Sequence, residues 1–206
     1  MERGPSVPLS ATPQADTCLD YANTRMWRGT ATPVEVLDTL PALLDWIAGP
    51  AGLSEGTVAS LRAWADADPA RAGALLAEAV ALRELVYRVL AAVGAGARVA
   101  EADLAALNKA VAEAPPRARL ARLSGGYGWE ADPVAPTAPA LLAPVLWSVA
   151  DLLVQAARHR LRQCANPECG WLFIDASKNG TRRWCDMTAC GNRAKARRHY
   201  ERSKAG

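Results

Sequence analysis

Long apolar runs are missing from this sequence. Half of its 206 residues are hydrophobic, enough to fill a sizeable core. Yet no stretch approaches the roughly 18 consecutive apolar residues that a membrane span requires. The opening MERGPSVPLS has no apolar centre of the kind a secretory signal carries. A soluble cytoplasmic protein without a membrane partner is therefore expected. Catalytic signatures are missing too: no nucleophile–base pair, glycine-rich phosphate loop or paired catalytic carboxylates can be read, so an enzyme is not expected. Internal repeats and low-complexity segments are also absent. Cysteine is sparse, at five residues, but four of the five lie between positions 164 and 190. In a reducing compartment such a cluster reads as metal ligands rather than disulfides.

Charge is unevenly spread. The net formal charge is +3. Residues 158–206 hold twelve Lys and Arg against Glu168, Asp175, Asp186 and Glu201, a local charge of +8 that leaves the rest of the chain at −5. Such asymmetry suggests that one end meets a polyanion, although a solvated basic tail would look the same.

Residues 1–15 contain three prolines and read as a flexible leader. Helical spacing then predicts Pro33 to Ile47 with Thr32 as cap, Ser54-capped 55–65, Pro69 to Val93 with a stripe of Leu75, Leu76, Ala79, Leu82, Val86, Val89 and Leu90, and 101–114. Loose alternation over 117–123, a Ser124-Gly125-Gly126 turn and the aromatic stretch from Tyr127 to Glu130 predict a β-hairpin. A last long helix is expected over 138–162. The expected organisation is a mainly α domain with a small β-hairpin over residues 16–160, followed by a separate module over 161–206.

That module carries the chemistry. Cys164 and Cys169, then Cys185 and Cys190, form two C-x4-C pairs fifteen residues apart. Tetrahedral zinc takes four such ligands at about 2.3 Å, and two short pairs held by a hairpin can supply them. Trp171 to Ile174 reads as a strand, Asn179-Gly180 as its turn and Thr181 to Trp184 as the return. The second pair runs into a helix expected over 188–203, the layout of a treble-clef-like finger. Four thiolates leave no open position for water, so the zinc is structural. His159 and His199 are not needed as ligands, and Cys18 reads as a small buried hydrophobe. Counted at 100° per residue, Ala189, Ala196 and Tyr200 share the face expected to pack on the hairpin. Lys195, Arg198 and Arg202 share the opposite face, with Arg197 between. Together with Arg182 and Arg183 these are the candidate nucleic-acid contacts. Asn192 and Arg193 are expected to brace the finger.

Cys190-Gly191-Asn192-Arg193 after two C-x4-C pairs resembles the CGNR zinc finger family. Leu19-Asp20-Tyr21-Ala22-Asn23-Thr24, with Arg28 following, resembles the signature of the ABATE domain that precedes that finger. The two cover roughly residues 16–202. The resemblance implies a bacterial, mainly helical α/β domain, a C-terminal zinc finger and a role as a stress-linked transcription regulator. Tyr21 and Ala22 depart from the pattern, where a phenylalanine and a larger aliphatic are expected. Asn23 and Arg28 could hold a carboxylate or another anion, or could cap helices and tie the leader to the core. Trp27 could wall a pocket or simply pack.

The leading functional expectation is a regulator that contacts DNA through Lys195, Arg197, Arg198 and Arg202 while the helical domain senses a small ligand or a partner. An RNA- or ribosome-associated protein would use the same basic module, with Trp171, Phe173 and Trp184 stacking unpaired bases. A protein-interaction zinc module is a further alternative. One small finger reads few bases, so a homodimer is an attractive addition.

Overall fold

The computed structural model describes residues 7–11, 16–123, 126–134 and 136–205; the side chains of 7–11, 123, 132–134, 198–199, 201–202 and 205 are not part of that description. In chain order the elements are β1 (Val7–Ala11), α1 (Thr17–Ala22), β2 (Arg25–Met26), β3 (Val34–Glu35), α2 (Leu40–Ala48), α3 (Glu55–Ala67), α4 (Pro69–Gly94), α5 (Glu101–Glu113), β4 (Arg119–Leu123), β5 (Gly126–Val134), α6 (Ala138–Leu141), α7 (Ala143–Val154), β6 (Leu161–Gln163), β7 (Leu172–Ile174) and α8 (Asn192–Ala205). The class is as expected: mainly helical, with small antiparallel sheets and a C-terminal four-cysteine module. Among the described residues no helix is long and apolar enough to cross a membrane.

The core forms around α4 and α7. From Ala143 to Val149 every residue of α7 is buried, including Ser148, whose Oγ accepts from Cys18 N at 3.1 Å, so this part of the helix sits inside the domain. α4 buries Leu75, Ala79, Leu82, Val86, Val89 and Leu90 as its spacing predicts, while Leu76 is only half-buried. Caps set the helix starts. The Asp68 carboxylate accepts from the Arg71 amide at 3.1 Å with Pro69 following, and Ser54 Oγ accepts from Thr57 N at 3.1 Å. The departure at Tyr21 has a clear consequence. Its ring is fully buried, 5.1 Å from that of Trp46, and its hydroxyl, which phenylalanine lacks, donates to the Ala79 carbonyl of α4 at 2.6 Å.

Four expectations are corrected. Residues 7–11, placed in the leader, form β1 and pair antiparallel with β5, which β4 flanks on its other side. The free edge of β5 offers unpaired backbone groups, and the register shift between Val7 and Leu9 coincides with Pro8, which has no N–H to donate. The rest of 1–15 lies outside the described residues. The helix predicted from Pro33 begins only at Leu40, capped by Thr39. Val34–Glu35 is instead drawn into a ladder with Arg25–Met26 that delivers the Glu35 carboxylate to Arg83. The helix predicted to reach 162 ends at Val154, which is 87% exposed. Beyond it no apolar stripe remains to bury, and residues 161–163 pair with β7. The fourth concerns the strand after the first cysteine pair. The turn there is not the expected Asn179-Gly180 one: it runs from Ser177 to Gly180, whose N donates to Ser177 O at 3.1 Å, with Gly180 at φ +63°, and β7 pairs with β6 rather than with 181–184.

A charge inside the α4 stripe organises the domain's polar interior. Arg83 is 0% exposed. Its guanidinium bonds Glu35, Glu84 and Thr24 Oγ1, and Glu84 also receives Arg28 at 2.6 Å. Burial raises both carboxyls, but the bonds and charge of Arg83 on Glu35, and of Arg28 and Arg83 on Glu84, outweigh it. Both are held below the ordinary glutamate range. Their contribution to stability is full above the ordinary glutamate range and is lost as pH falls through the lower folded-state values. Arg83→Ala is expected to cost about 2–3 kcal/mol at neutral pH, less than for a fully buried pair because both carboxylates still touch water. Urea melts of wild type and variant should converge as pH falls into that acid range; a pH-independent gap would contradict the ion-pair assignment.

Candidate metal centre and basic face

β6 and β7 are joined by a tight knuckle that carries the first two cysteines. Cys164 N donates to Trp171 O at 2.8 Å and Cys169 N to Asn166 O at 2.9 Å. Gly170, at φ +70°, closes the turn. A Cβ there would lie 2.9 Å from Arg28 Cβ and 3.1 Å from the Tyr87 hydroxyl, so only glycine fits. The second pair straddles a helix start. Asp186 caps it, accepting from Ala189 N at 2.8 Å and from Thr188 Oγ1 at 2.5 Å. Residues Met187–Gly191 form a single π-helical turn that leads into α8 and carries Cys190, which is 1% exposed.

The four sulfurs converge, all within 4.8 Å of one another. Cys169 and Cys185 are 3.6 Å apart and Cys185 and Cys190 3.8 Å. A disulfide needs about 2 Å, whereas the edge of a tetrahedron of sulfurs around zinc is about 3.8 Å. The donor set therefore fits zinc. Burial pushes the Cys169 thiol up to about 12 and raises Cys185 as well. Cys164 is also raised by burial, but backbone N–H groups of Cys185 and Asn166 outweigh this and hold it below the ordinary thiol value. Four thiols this close cannot all ionise by themselves; a dication is what allows it. The buried Asn166 amide adds a long bond to Cys190 Sγ at 3.7 Å, and Phe173 packs beside the cluster with Trp27, Trp171 and Trp184. Cys18 lies elsewhere in the core, its thiol pushed up to about 11 by burial.

Asn23 and Arg28 both meet this knuckle. The Asn23 amide donates to Leu172 O and accepts from Leu172 N, each at 2.9 Å, pairing β7 as a neighbouring strand would. Arg28 N and Gly29 N donate to the Cys169 and Glu168 carbonyls at 3.3 and 3.2 Å. The Arg28 guanidinium donates to Glu84 and to Ala22 O and lies 3.8 Å from the Tyr87 ring centre. Tyr87 in turn donates to Gly170 O at 2.8 Å. Tyr87, Glu84 and Asn166 escaped the sequence reading. The one available signal was the Arg83-Glu84 pair inside an apolar helical stripe.

The cations of the module divide into two sets. Arg182 is exposed but tied to the backbone: its guanidinium donates to the Trp184 and Cys185 carbonyls and lies 4.6 Å from the Phe173 ring. Arg193 lies 4.3 Å from the Trp27 ring, and Asn192 Nδ2 donates to Thr188 O at 3.0 Å within the helix start. Lys195, Arg183 and Arg197 are exposed like Arg182 and Arg193, and the Arg183 guanidinium lies 5.5 Å from the Trp184 ring. Arg183 and Arg197 line one notch of about 170 Å³ beside Trp184, and Arg197 also faces Glu168 at 3.8 Å. The side chains of Arg198, Arg202 and His199 lie outside the described residues. The packed face of α8 is not the expected one. Ala189 and Ala196 are exposed and Tyr200 is 60% exposed, while Cys190 and Gly191 are buried and Ala194 half-buried. The π-helical turn inserts an extra residue, so a phase counted at 3.6 residues per turn from Ala189 slips.

Two family models match the chain. Residues 15–156 match ABATE, described as "Putative stress-induced transcription regulator", and residues 160–203 match the CGNR zinc finger. A comparison with curated proteins finds no match. The matched finger and the converging thiols agree on zinc as the cofactor. Its removal by a chelator is expected to expose backbone amides over residues 164–191 to hydrogen exchange while those of α4 stay protected. Unchanged exchange in the module would count against a structural metal. Asn23→Ala leaves the Leu172 N–H and C=O without a partner and is expected to cost about 2 kcal/mol or more in urea unfolding.

Proposed function

The chain belongs to the ABATE family and carries a CGNR zinc finger, and from that premise we propose a DNA-binding transcription regulator with a sensing helical domain (16–160) and a reading module (161–206). Cys164, Cys169, Cys185 and Cys190 would hold zinc as four thiolates. The ion then supplies rigidity rather than chemistry, since no position remains open for water. The family is one of regulators, not an enzyme class.

The observation that carries the reading is the convergence of Arg183 and Arg197 on one notch beside Trp184, with exposed Lys195 on the same helix as Arg197. Cations from two segments of a metal-fixed unit offer phosphates a rigid surface rather than a mobile tail. Arg198 and Arg202 follow on α8 and extend the set. Arg182 acts differently in this reading: it keeps its charge but braces the loop before Cys185. Single-stranded RNA is the second reading, favoured by the half-exposed indoles of Trp171 and Trp184; Phe173 is buried and takes no part.

The test is a salt titration of duplex binding with the zinc-loaded chain. Wild type should bind more weakly as salt rises. The Arg183→Ala/Lys195→Ala/Arg197→Ala variant should lose affinity, and its log–log salt slope should fall by about 0.9 for each phosphate contact removed. A variant with wild-type slope and affinity would sink the reading, and tighter binding to single-stranded RNA than to duplex would favour the second.

A further inference from the structure

A cleft of about 340 Å³ is lined in part by Cys169, Cys185 and Cys190. Its other walls come from both halves of the chain. Met26 and Trp27 arrive from the segment at β2, Trp171 from the residue before β7, and Asp186 and Ala189 from the turn that starts the last helix. Neither half builds the cleft alone. Its volume lies within the range of small-ligand pockets, about 300–1,000 Å³, and far exceeds what one metal ion occupies.

The lining indicates the chemistry of the occupant. Two indoles and a thioether are among its walls, and π systems and soft polarisable sulfur are the groups on which a planar ring stacks. Trp27 and Trp171 are both only half-buried, so packing has not sealed them. The single ionisable side chain of the lining besides the thiols is Asp186. Its Oδ1 serves Ala189 N and Thr188 Oγ1, but a carboxylate has about four acceptor positions, so it retains capacity for an N–H of a ligand.

Trp27 adds an independent observation. At φ 55° it is the one non-glycine residue with positive φ among the described residues. For a bulky side chain this is a strained backbone, costing on the order of 1–3 kcal/mol. It is held there by Thr30, whose N and Oγ1 both donate to Trp27 O, at 3.0 and 2.8 Å, and by Arg28 N on Cys169 O. Trp27 thus lines the cleft from a strained backbone, and the guanidinium of Arg193 on the last helix lies 4.3 Å from its ring.

We propose that this cleft binds a flat heteroaromatic ring bearing an N–H donor, stacked against Trp27 and Trp171 with its donor on the Asp186 carboxylate. The ring can belong to a free small molecule or to an unpaired base of a single strand. The site is separate from the notch of Arg183 and Arg197, so failure of ring binding leaves the duplex reading standing, and the reverse holds as well.

The probes are 2-aminopurine riboside and a single-stranded DNA oligonucleotide carrying one 2-aminopurine. Each is titrated into the zinc-loaded full chain while the fluorescence of the probe is followed. Stacking on an indole should quench it saturably. Trp27→Ala and Trp171→Ala should each weaken binding by about tenfold or more. Asp186→Asn, which still caps the helix but lacks the charge, should weaken it by about tenfold. Trp27→Phe should remain within a few-fold of wild type. Wild-type zinc content and circular dichroism identify the variants that fold; should Trp27→Ala lose zinc, Trp171→Ala and Asp186→Asn carry the test. Binding of the free riboside supports the site with a small molecule as its occupant, and quenching of the oligonucleotide alone supports it with an unpaired base. No saturable quenching of either probe, or quenching unchanged in the folded Ala and Asn variants, overturns it.

Discussion

Four sulfurs must meet at one point, and most of the C-terminal structure follows from that constraint. A segment of this length buries too little apolar surface to hold itself together, and among the described residues the cluster around the cysteines adds Phe173 and half-buried tryptophans, one of them Trp27 from the preceding domain. Tetrahedral coordination replaces the missing core. It requires a knuckle tight enough to bring Cys164 beside Cys169, hence Gly170 at positive φ, and a helix start that turns Cys190 inward, hence the Asp186 cap and the π-helical turn.

The module is also a continuation of the domain before it. Asn23 supplies β7 with the hydrogen bonds of a third strand, Arg28 and Gly29 grip the knuckle through their backbones, and Tyr87 reaches it from α4. Behind these contacts Arg28, Glu84, Arg83 and Glu35 form a chain of charges that runs into the helical core. A change of packing around α4 therefore has a continuous polar route to the cysteine knuckle. That route is physical adjacency; coupling additionally requires an element with two arrangements.

Some of this was legible in advance because the signals are local. Pro69 after Asp68, Ser54 before Glu55 and the apolar stripe of α4 are short-range patterns, and the helices they predict are present. The two C-x4-C pairs named the metal cluster for the same reason. The errors arose where a distant partner decides. Nothing near Val34 announces that it will pair with Met26, and β7 takes as its partner residues 161–163, whose local pattern reads as the end of a helix, rather than the segment that follows. The helix expected to reach residue 162 had good propensity but nothing left to bury.

Composition, spacing and charge by themselves determined that the chain is mainly helical, that four cysteines gather a zinc ion and that the cations concentrate around them, because each depends on residue types at short separations. Tertiary structure alone decided what those cations touch: Arg182 bonded to carbonyls, Arg193 laid against Trp27, Arg183 and Arg197 brought to one notch. It likewise decided that Asn23 pairs with Leu172 and that two tryptophans 144 positions apart, Trp27 and Trp171, share a cleft. These outcomes depend on which distant backbone carbonyls and ring faces each side chain meets once the chain has closed, and a one-dimensional pattern carries no record of that.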